Sequence, residues 1–266
     1  RLVKQIRALL LAAGLGTRLR PVTEDCPKCL IPIGGRPLLE HWLCTLYKND
    51  ICNVLVNVHH HRNLVESFLS RKRFRLWVSS VYEANLLGTA GTLRKNIAYF
   101  KDCTVLLVHA DNWCQCDFEK FVEFHTTSRP AGTAITMMTF RTPTPSTCGI
   151  VELDSKDIVT NFYEKVSEPP GNLANGAVYL FESEVLDWIM DNDTLNDFST
   201  EVLPQFIGRI ATWENKGIHR DIGQIESLLE AQHDPCPSSC WPDRDEWDHM
   251  YKLNPVHDWL VRSGNG

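Results

Sequence analysis

The chain has 266 residues, 43% of them hydrophobic and 23% charged, with a formal net charge of −6. This composition excludes collagen-like, low-complexity and disordered chains, and fits one large domain or one domain with an appendage. It also excludes a global basic field for nucleic acid or acidic membrane, so cations that meet an anionic substrate must be gathered locally.

The hydrophobic pattern alternates between strand and helix periods. Arg7 to Ala13 is a nearly continuous apolar run, as expected of a strand covered on both faces. A glycine-rich loop follows, and then Leu38, Leu39, Trp42, Leu43, Leu46 and Tyr47 recur at helical spacing. Val54–Val58 predicts a second buried strand, Leu64–Leu69 a short helix and Arg75–Val78 a third strand. Thr104–Val108 predicts another buried strand, which ends at His109-Ala110-Asp111. Phe118–His125 reads as helix and Thr133–Met138 as strand, and from Gly149 the strands Gly149–Leu153 and Gly176–Phe181 follow with less helix between them. The fold class expected is α/β: a Rossmann-like, mostly parallel or mixed twisted sheet flanked by helices. In such sheets ligands sit beyond the carboxyl ends of the strands, where the glycine-rich loop and Asp111 fall.

From about His233 the composition shifts to a tail carrying Pro235, Pro237, Pro242, Cys236, Cys240, Trp241, Trp247 and Trp259. No internal repeat is visible. The longest apolar run, Ala8 to Leu15, is far short of the ~20 residues that span a bilayer, and Arg1 to Gln5 does not open a secretion signal. Ten cysteines are expected to stay reduced, with Cys44 and Cys103 acting as small hydrophobes in apolar runs. Zinc would need four donors at matched spacing, and a cytoplasmic location is the expectation that follows. The Cys26-Pro27-Lys28-Cys29 spacing places two thiols beside a lysine.

The strongest chemical signal is Leu11-Ala12-Ala13-Gly14-Leu15-Gly16-Thr17-Arg18-Leu19-Arg20, followed by Pro27-Lys28. A Gly-x-Gly after a strand also opens a dinucleotide-binding turn. Here no third glycine follows at the right place, and Arg18 and Lys28 supply charge suited to a polyphosphate instead. Glu40 stands near the distance of the acidic residue that a dinucleotide site needs, but inside the helical pattern. The bland alternative is a tight turn with two solvated cations.

This string resembles the signature of the sugar-1-phosphate nucleotidyltransferases. Leu87-Gly88-Thr89-Ala90-Gly91-Thr92-Leu93 is similar to a segment of the mannose-1-phosphate guanylyltransferases. Phe162-Tyr163-Glu164-Lys165, Glu201-Val202-Leu203-Pro204 and Asp221-Ile222-Gly223 resemble further elements of the family, in the family's order, from about residue 7 to 232. The resemblance implies a catalytic domain over 1–232, with a nucleotide half over about 1–148 and a sugar-phosphate half over about 149–232, and a tail over 233–266. The guanylyltransferases usually add a left-handed β-helix domain, whose hexapeptide repeats are not visible here.

What the resemblance implies chemically is transfer of a nucleoside monophosphate from an NTP to a sugar 1-phosphate, with pyrophosphate released and no covalent enzyme intermediate. Arg18 and Lys28 would face the triphosphate, and Asp111 and Asp221 would hold Mg2+, a hard cation suited to one or two carboxylates and phosphate oxygens. Ala12, Ala13, Gly14, Gly16, Thr17, Glu83, Gly88 and Thr89 would bind the nucleotide. Gly149, Glu164, Lys165 and Asn175 would bind the sugar phosphate. Glu83 bears on the base: a carboxylate only accepts hydrogen bonds, and guanine offers a ring N–H and an amine side by side. That favours GTP. The chain departs from the family pattern at Ala110, where Gly is usual, and at His219, where Trp is frequent; His109 is read as a packed strand-end residue.

The partners expected are an NTP and a sugar 1-phosphate, with no nucleic acid and no membrane, and with a homo-oligomer open. The alternatives are a thymidylyl-, uridylyl- or cytidylyltransferase of the same fold, a catalytically inactive regulatory protein that binds a nucleotide-sugar, and an NAD-dependent oxidoreductase.

Overall fold

A computed structural model describes residues 4–264. Arg1 to Val3, the start of the segment read for a secretion signal, lie outside the described residues. The fold is mixed α/β, as expected, and its contacts divide it into two compact units. The first comprises Arg1–Leu9, Leu87–Val108 and Cys114–His219, and the second Leu10–Leu86, His109–Trp113 and Arg220–Gly266.

In the first unit the Leu173–Phe181 strand is central. It runs antiparallel to Thr104–His109, with Tyr179 opposite Leu107, and antiparallel to Ile135–Arg141, with Tyr179 opposite Met137. It also meets the Gly149–Leu153 strand at Ala174 and Ile150. Ile210–Glu214 pairs in parallel with Ile135–Arg141. Tyr179, Phe181 and Phe198 are fully buried; Phe198 stacks on Phe181 and packs at a tilt on Tyr179, which ties the loop around Phe198 to the sheet. Val159–Glu164 forms an antiparallel pair with Gly149–Leu153. Its sequence shows no clean alternation, and cross-strand pairing rather than local pattern holds it extended.

In the second unit Val54–Val58 pairs in parallel with Val78–Tyr82, Val54 opposite Val78. The third strand therefore begins at Val78, three residues after the expected start at Arg75. Arg71 to Trp77 turn instead: Phe74 and Arg75 donate to the Arg71 carbonyl, and Trp77 and Val78 to that of Phe74. The helix Leu38–Lys48 buries Leu38, Leu39, Trp42, Leu43 and Leu46 of the stripe read from the sequence, while Tyr47, its last member, is exposed. The helix Arg62–Leu69 buries Val65, Phe68 and Leu69.

The tail belongs to this unit and adds the helices Glu246–Tyr251 and Pro255–Ser263. Cys44 is not the reduced thiol expected of it: a disulfide joins it to Cys240, 196 residues on. The cysteine usage therefore no longer supports a compartment. The hydrophobic surroundings of Cys44 hid a partner that only the returning tail supplies. The eight other cysteines are free thiols. Among the described residues no helix is long and apolar enough to cross a membrane.

Candidate active site

The second unit gathers the glycine-rich loop, Lys28, Asp111 and Asp221. The first strand, Ile6–Leu11, delivers the loop. Gly16 adopts φ 63° at the start of the Thr17–Leu19 turn, and a Cβ there would lie 2.7 Å from the Thr23 Cγ2 methyl. Thr23 in turn donates to the Gly16 carbonyl at 2.8 Å. Gly14 has no neighbour within 4 Å of where its Cβ would stand, so this side of the loop can be approached closely. Ala12 donates its backbone N–H to the side chain of Asn57 at 2.7 Å. Ala13 is buried, while Thr17 and Arg18 are exposed.

Asp111 follows the Thr104–His109 strand. Ala110 is fully buried and donates to the Leu11 carbonyl at 3.0 Å, so the backbone before Asp111 sits directly against the end of the first strand. Lys28 is nearly buried, and its Nζ lies 2.5 Å from Asp111 Oδ2 and 3.9 Å from Asp221 Oδ1. The backbone N–H of Ile222 donates to the Asp111 carbonyl at 3.0 Å, which fixes the two aspartates side by side. Gly223 completes the group. A Cβ there would stand 2.9 Å from Asp221 Oδ2 and 3.1 Å from Arg18 Nη2, so the glycine leaves room for the ends of both side chains beside the backbone.

The two carboxyls are driven apart in acidity. Burial pushes Asp111 up, but the Lys28 ammonium and His109 together pull it below the ordinary carboxylate range. Asp221 rises, first through desolvation and then through repulsion by Asp111, against the partial relief of Lys28 and Arg18. Its side chain is 61% exposed, so water tempers that rise. Two hard oxygen donors held together under mutual repulsion suit a divalent cation that also takes phosphate oxygens. Among the described residues, no group of three or more His, Cys, Asp or Glu side chains is placed to hold a metal ion.

Glu83 is 2% exposed. Its Oε1 lies 3.4 Å from Asn57 Nδ2, and its carbonyl meets His59 Nδ1 at 2.7 Å. Asn57 was not among the expected site residues. The signal was a lone amide inside the apolar run Val54-Leu55-Val56-Asn57-Val58. Gly223 was also missed, although it stands inside the quoted Asp221-Ile222-Gly223 string. Glu40, the acidic residue of the dinucleotide alternative, is buried and paired with Arg71 at 3.2 Å.

The remaining expected residues belong to the first unit. Gly88 has φ 74°, and a Cβ there would fall 2.2 Å from the Asn196 carbonyl oxygen. Thr89 Oγ1 accepts from the backbone N–H of Phe198 at 2.7 Å, so its hydroxyl anchors the neighbouring loop. Gly149 stands opposite Glu164 in the strand pair, and a Cβ there would meet Glu164 Oε2 at 2.8 Å. Lys165 has φ 50°, and its Nζ lies 3.6 Å from Glu164 Oε1. Asn175 is one residue from the Ala174–Ile150 contact, which places it next to this group. Its side chain donates to the Tyr179 hydroxyl at 2.7 Å and accepts from Ala177 N–H at 2.9 Å, shaping a bulge in its strand. His219 packs its ring on Phe140, centroids 4.4 Å apart, and borders Gly176.

A family model for nucleotidyl transferases matches residues 7–236. The chain belongs to this family. The chain is 31% identical to the mannose-1-phosphate guanylyltransferase catalytic subunit beta of Drosophila melanogaster over 84% of this chain and 61% of that protein. It is 28% identical to the mannose-1-phosphate guanylyltransferase of Mycobacterium tuberculosis over 86% of this chain and 64% of that one. A UTP–glucose-1-phosphate uridylyltransferase of Synechocystis is 31% identical over 76% of this chain and 55% of its own length. The chain thus spans about three fifths of the length of these curated relatives. A solved Bacillus anthracis structure, provisionally described as a glucose-1-phosphate thymidylyltransferase, superposes with a TM-score of 0.75 at 22% identity, covering 92% of this chain and 99% of that one. That likeness bears on the fold.

Proposed function

We propose that this nucleotidyl transferase joins GTP and a sugar 1-phosphate into a nucleotide-sugar and releases pyrophosphate, with Mg2+ as the metal. The observation that carries the reading is Lys28, whose ammonium reaches both Asp111 and Asp221 beside the glycine-rich loop. Such a cluster gives a triphosphate cationic contacts from Arg18 and Lys28 and gives a divalent cation two carboxylates. Ala12, Ala13, Gly14, Gly16, Thr17, Glu83, Gly88 and Thr89 take the nucleotide; Gly149, Glu164, Lys165 and Asn175 take the sugar phosphate.

The chemistry is an in-line displacement. A phosphate oxygen of the sugar 1-phosphate bonds to the α-phosphorus, the bond to the α–β bridging oxygen breaks, and pyrophosphate leaves with the electron pair. The attacking phosphate is already ionised near neutral pH, so no protein group needs to remove a proton. When bound, the metal neutralises negative charge on the phosphates. Arg18 and Lys28 orient the triphosphate and stabilise the charge that develops on pyrophosphate.

Base choice rests on Glu83. Its carboxylate offers acceptors only, which fits the paired donors of guanine and repels the carbonyls flanking the ring N–H of uracil or thymine. The mannose-1-phosphate guanylyltransferase names among the relatives support the same choice.

The test is pyrophosphate release with Mg2+, the four common NTPs and dTTP, against a panel of sugar 1-phosphates. GTP with one sugar 1-phosphate is expected to stand out. A preference for UTP or dTTP would overturn the base assignment, and NTP binding without turnover on any sugar would favour a regulatory protein. Glu83→Gln is expected to shift the ranking of NTPs.

A further inference from the structure

The Lys28 turn is held from both ends by the tail. The segment Asp25 to Leu30 carries Lys28 on a 3-10 turn, closed by Leu30 N–H to the Pro27 carbonyl at 2.8 Å. At its far end the Tyr251 hydroxyl donates to the Leu30 carbonyl. At its near end Asn254 Nδ2 donates to the Asp25 carbonyl at 2.9 Å, while Asn254 Oδ1 caps the last helix by accepting from Val256 N–H at 3.0 Å. Both bonds reach back more than 200 residues along the chain.

The tail is a firm base for these contacts. Its Cys240 is tied to Cys44 of the Leu38–Lys48 helix. Asp245 and Asp248 form a capping box and pair with Arg71 and Arg73. Trp247 stacks on Tyr251, centroids 4.8 Å apart, and meets Phe68 edge-on. Between the Lys28 segment and the tail lies a cavity of about 670 Å³, lined by Cys26, Pro27, Leu30, Trp247 and Tyr251 among others. Cys26, Leu30 and Tyr251 are buried around it, and the two hydrogen bonds fix the backbone of the turn at either end. The flanking thiols do not compete for the role: burial pushes Cys29 up to about 12 and Cys26 further, so neither is a thiolate at neutral pH.

We propose that Tyr251 and Asn254 are positioning residues, and that the C-terminal segment is a brace which aims Lys28 at the reacting phosphates. The inference rests on the reading of Lys28 as a triphosphate-facing group. A lysine on a long stem between two carboxylates has alternative rotamers, and a backbone shift of ~1 Å at its turn is enough to cost up to about 100-fold in rate.

The experiment uses the full chain. Tyr251→Phe removes the hydroxyl and keeps the stack on Trp247. Asn254→Ser keeps a capping oxygen for Val256 and loses the reach to Asp25. Each is expected to lower kcat for pyrophosphate release by about tenfold, with KM for the sugar 1-phosphate unchanged. Hydrogen exchange is expected to quicken at the amides of Leu30 and Ile31. In a Lys28→Ala background the same substitutions are expected to leave the residual rate unchanged, because they act through Lys28. Unmoved kcat in both variants, or an equal further loss in the Lys28→Ala background, would overturn the brace while wild-type activity stands. A wild-type chain silent toward every NTP and sugar 1-phosphate would overturn both the brace and the reading it rests on.

Discussion

Asn57 accepts a hydrogen bond from the backbone N–H of Ala12 at 2.7 Å, at the point where the first strand becomes the glycine-rich loop. Its other amide atom faces Glu83 at 3.4 Å. One buried side chain thus joins the glycine-rich loop to Glu83, the carboxylate proposed to read the base. Asn57→Ala leaves the Ala12 N–H without this partner, at a cost of about 1–3 kcal/mol. We expect weaker GTP binding by titration calorimetry and a narrower gap between GTP and the other NTPs. Unchanged affinity and ranking would sever the link.

Gly16 has no room for a side chain. Its φ of 63° disfavours any L-residue, and a Cβ would run into the Thr23 methyl. Gly16→Ala is expected to cost about 1–2 kcal/mol from the backbone alone, with a further loss from the clash. Thr23→Ser removes that methyl and keeps the hydroxyl that bonds the Gly16 carbonyl. Adding it to Gly16→Ala is expected to restore part of the lost thermal stability. No recovery in the double variant would mean that the methyl is not the obstacle.

The sequence was most legible where chemistry and chain order coincide. Val54–Val58 is a strand over the residues expected, and Lys28 lies beside Asp111 and Asp221, three residues singled out in the sequence. It was least legible where tertiary partners decide. The Arg75–Trp77 segment has strand-like residues, yet the carbonyls of Arg71 and Phe74 close it into turns, and Leu76 is 88% exposed. Cys44 reads as a core hydrophobe until the tail returns with Cys240. Asn57 is polar in an apolar run, but its two partners come from separate strand ends. The tail's hold on Leu30 and Asp25 leaves no local pattern at all, because a backbone carbonyl looks the same at every position.

Glu182 is an electrostatic hub of the first unit. It accepts from His125 Nε2 at 3.1 Å, from Thr104 Oγ1 at 3.1 Å and from Lys4 Nζ at 3.0 Å. Burial lowers the His125 pKa and favours the neutral ring, whose Nε2–H then donates to the carboxylate. That bond first, and Lys4 after it, bring the Glu182 carboxyl from its ordinary 4.5 to about 2. A carboxyl lowered by folding stabilises above its unfolded value and loses that contribution as the pH falls. Glu182→Gln is therefore expected to be less stable than wild type at pH 7 in urea unfolding. The two curves should converge between pH 4.5 and about 2. A constant difference across that window would assign the effect to packing rather than charge.

Asp111 and Asp221 separate function from stability. On the proposed function both hold the metal, so Asp111→Asn and Asp221→Asn are each expected to abolish pyrophosphate release. Their effects on the free protein should have opposite signs. The charge of Asp111 is favoured by Lys28, whose nearly buried ammonium loses its nearest partner in Asp111→Asn; that variant should melt below wild type. The charge of Asp221 is disfavoured by partial desolvation, tempered by its exposure, and by Asp111, so folding raises its pKa. A raised carboxyl makes the folded state bind protons more tightly than the unfolded chain, and its charge opposes folding at neutral pH. Asp221→Asn should therefore melt at or above wild type at pH 7, with the gain fading as the pH falls and Asp221 becomes protonated in wild type. Added Mg2+ and GTP should raise the melting temperature of wild type more than that of either variant. Equal destabilisation by both substitutions would mean that the two carboxylates do not repel, and would remove the electrostatic ground for a cation between them.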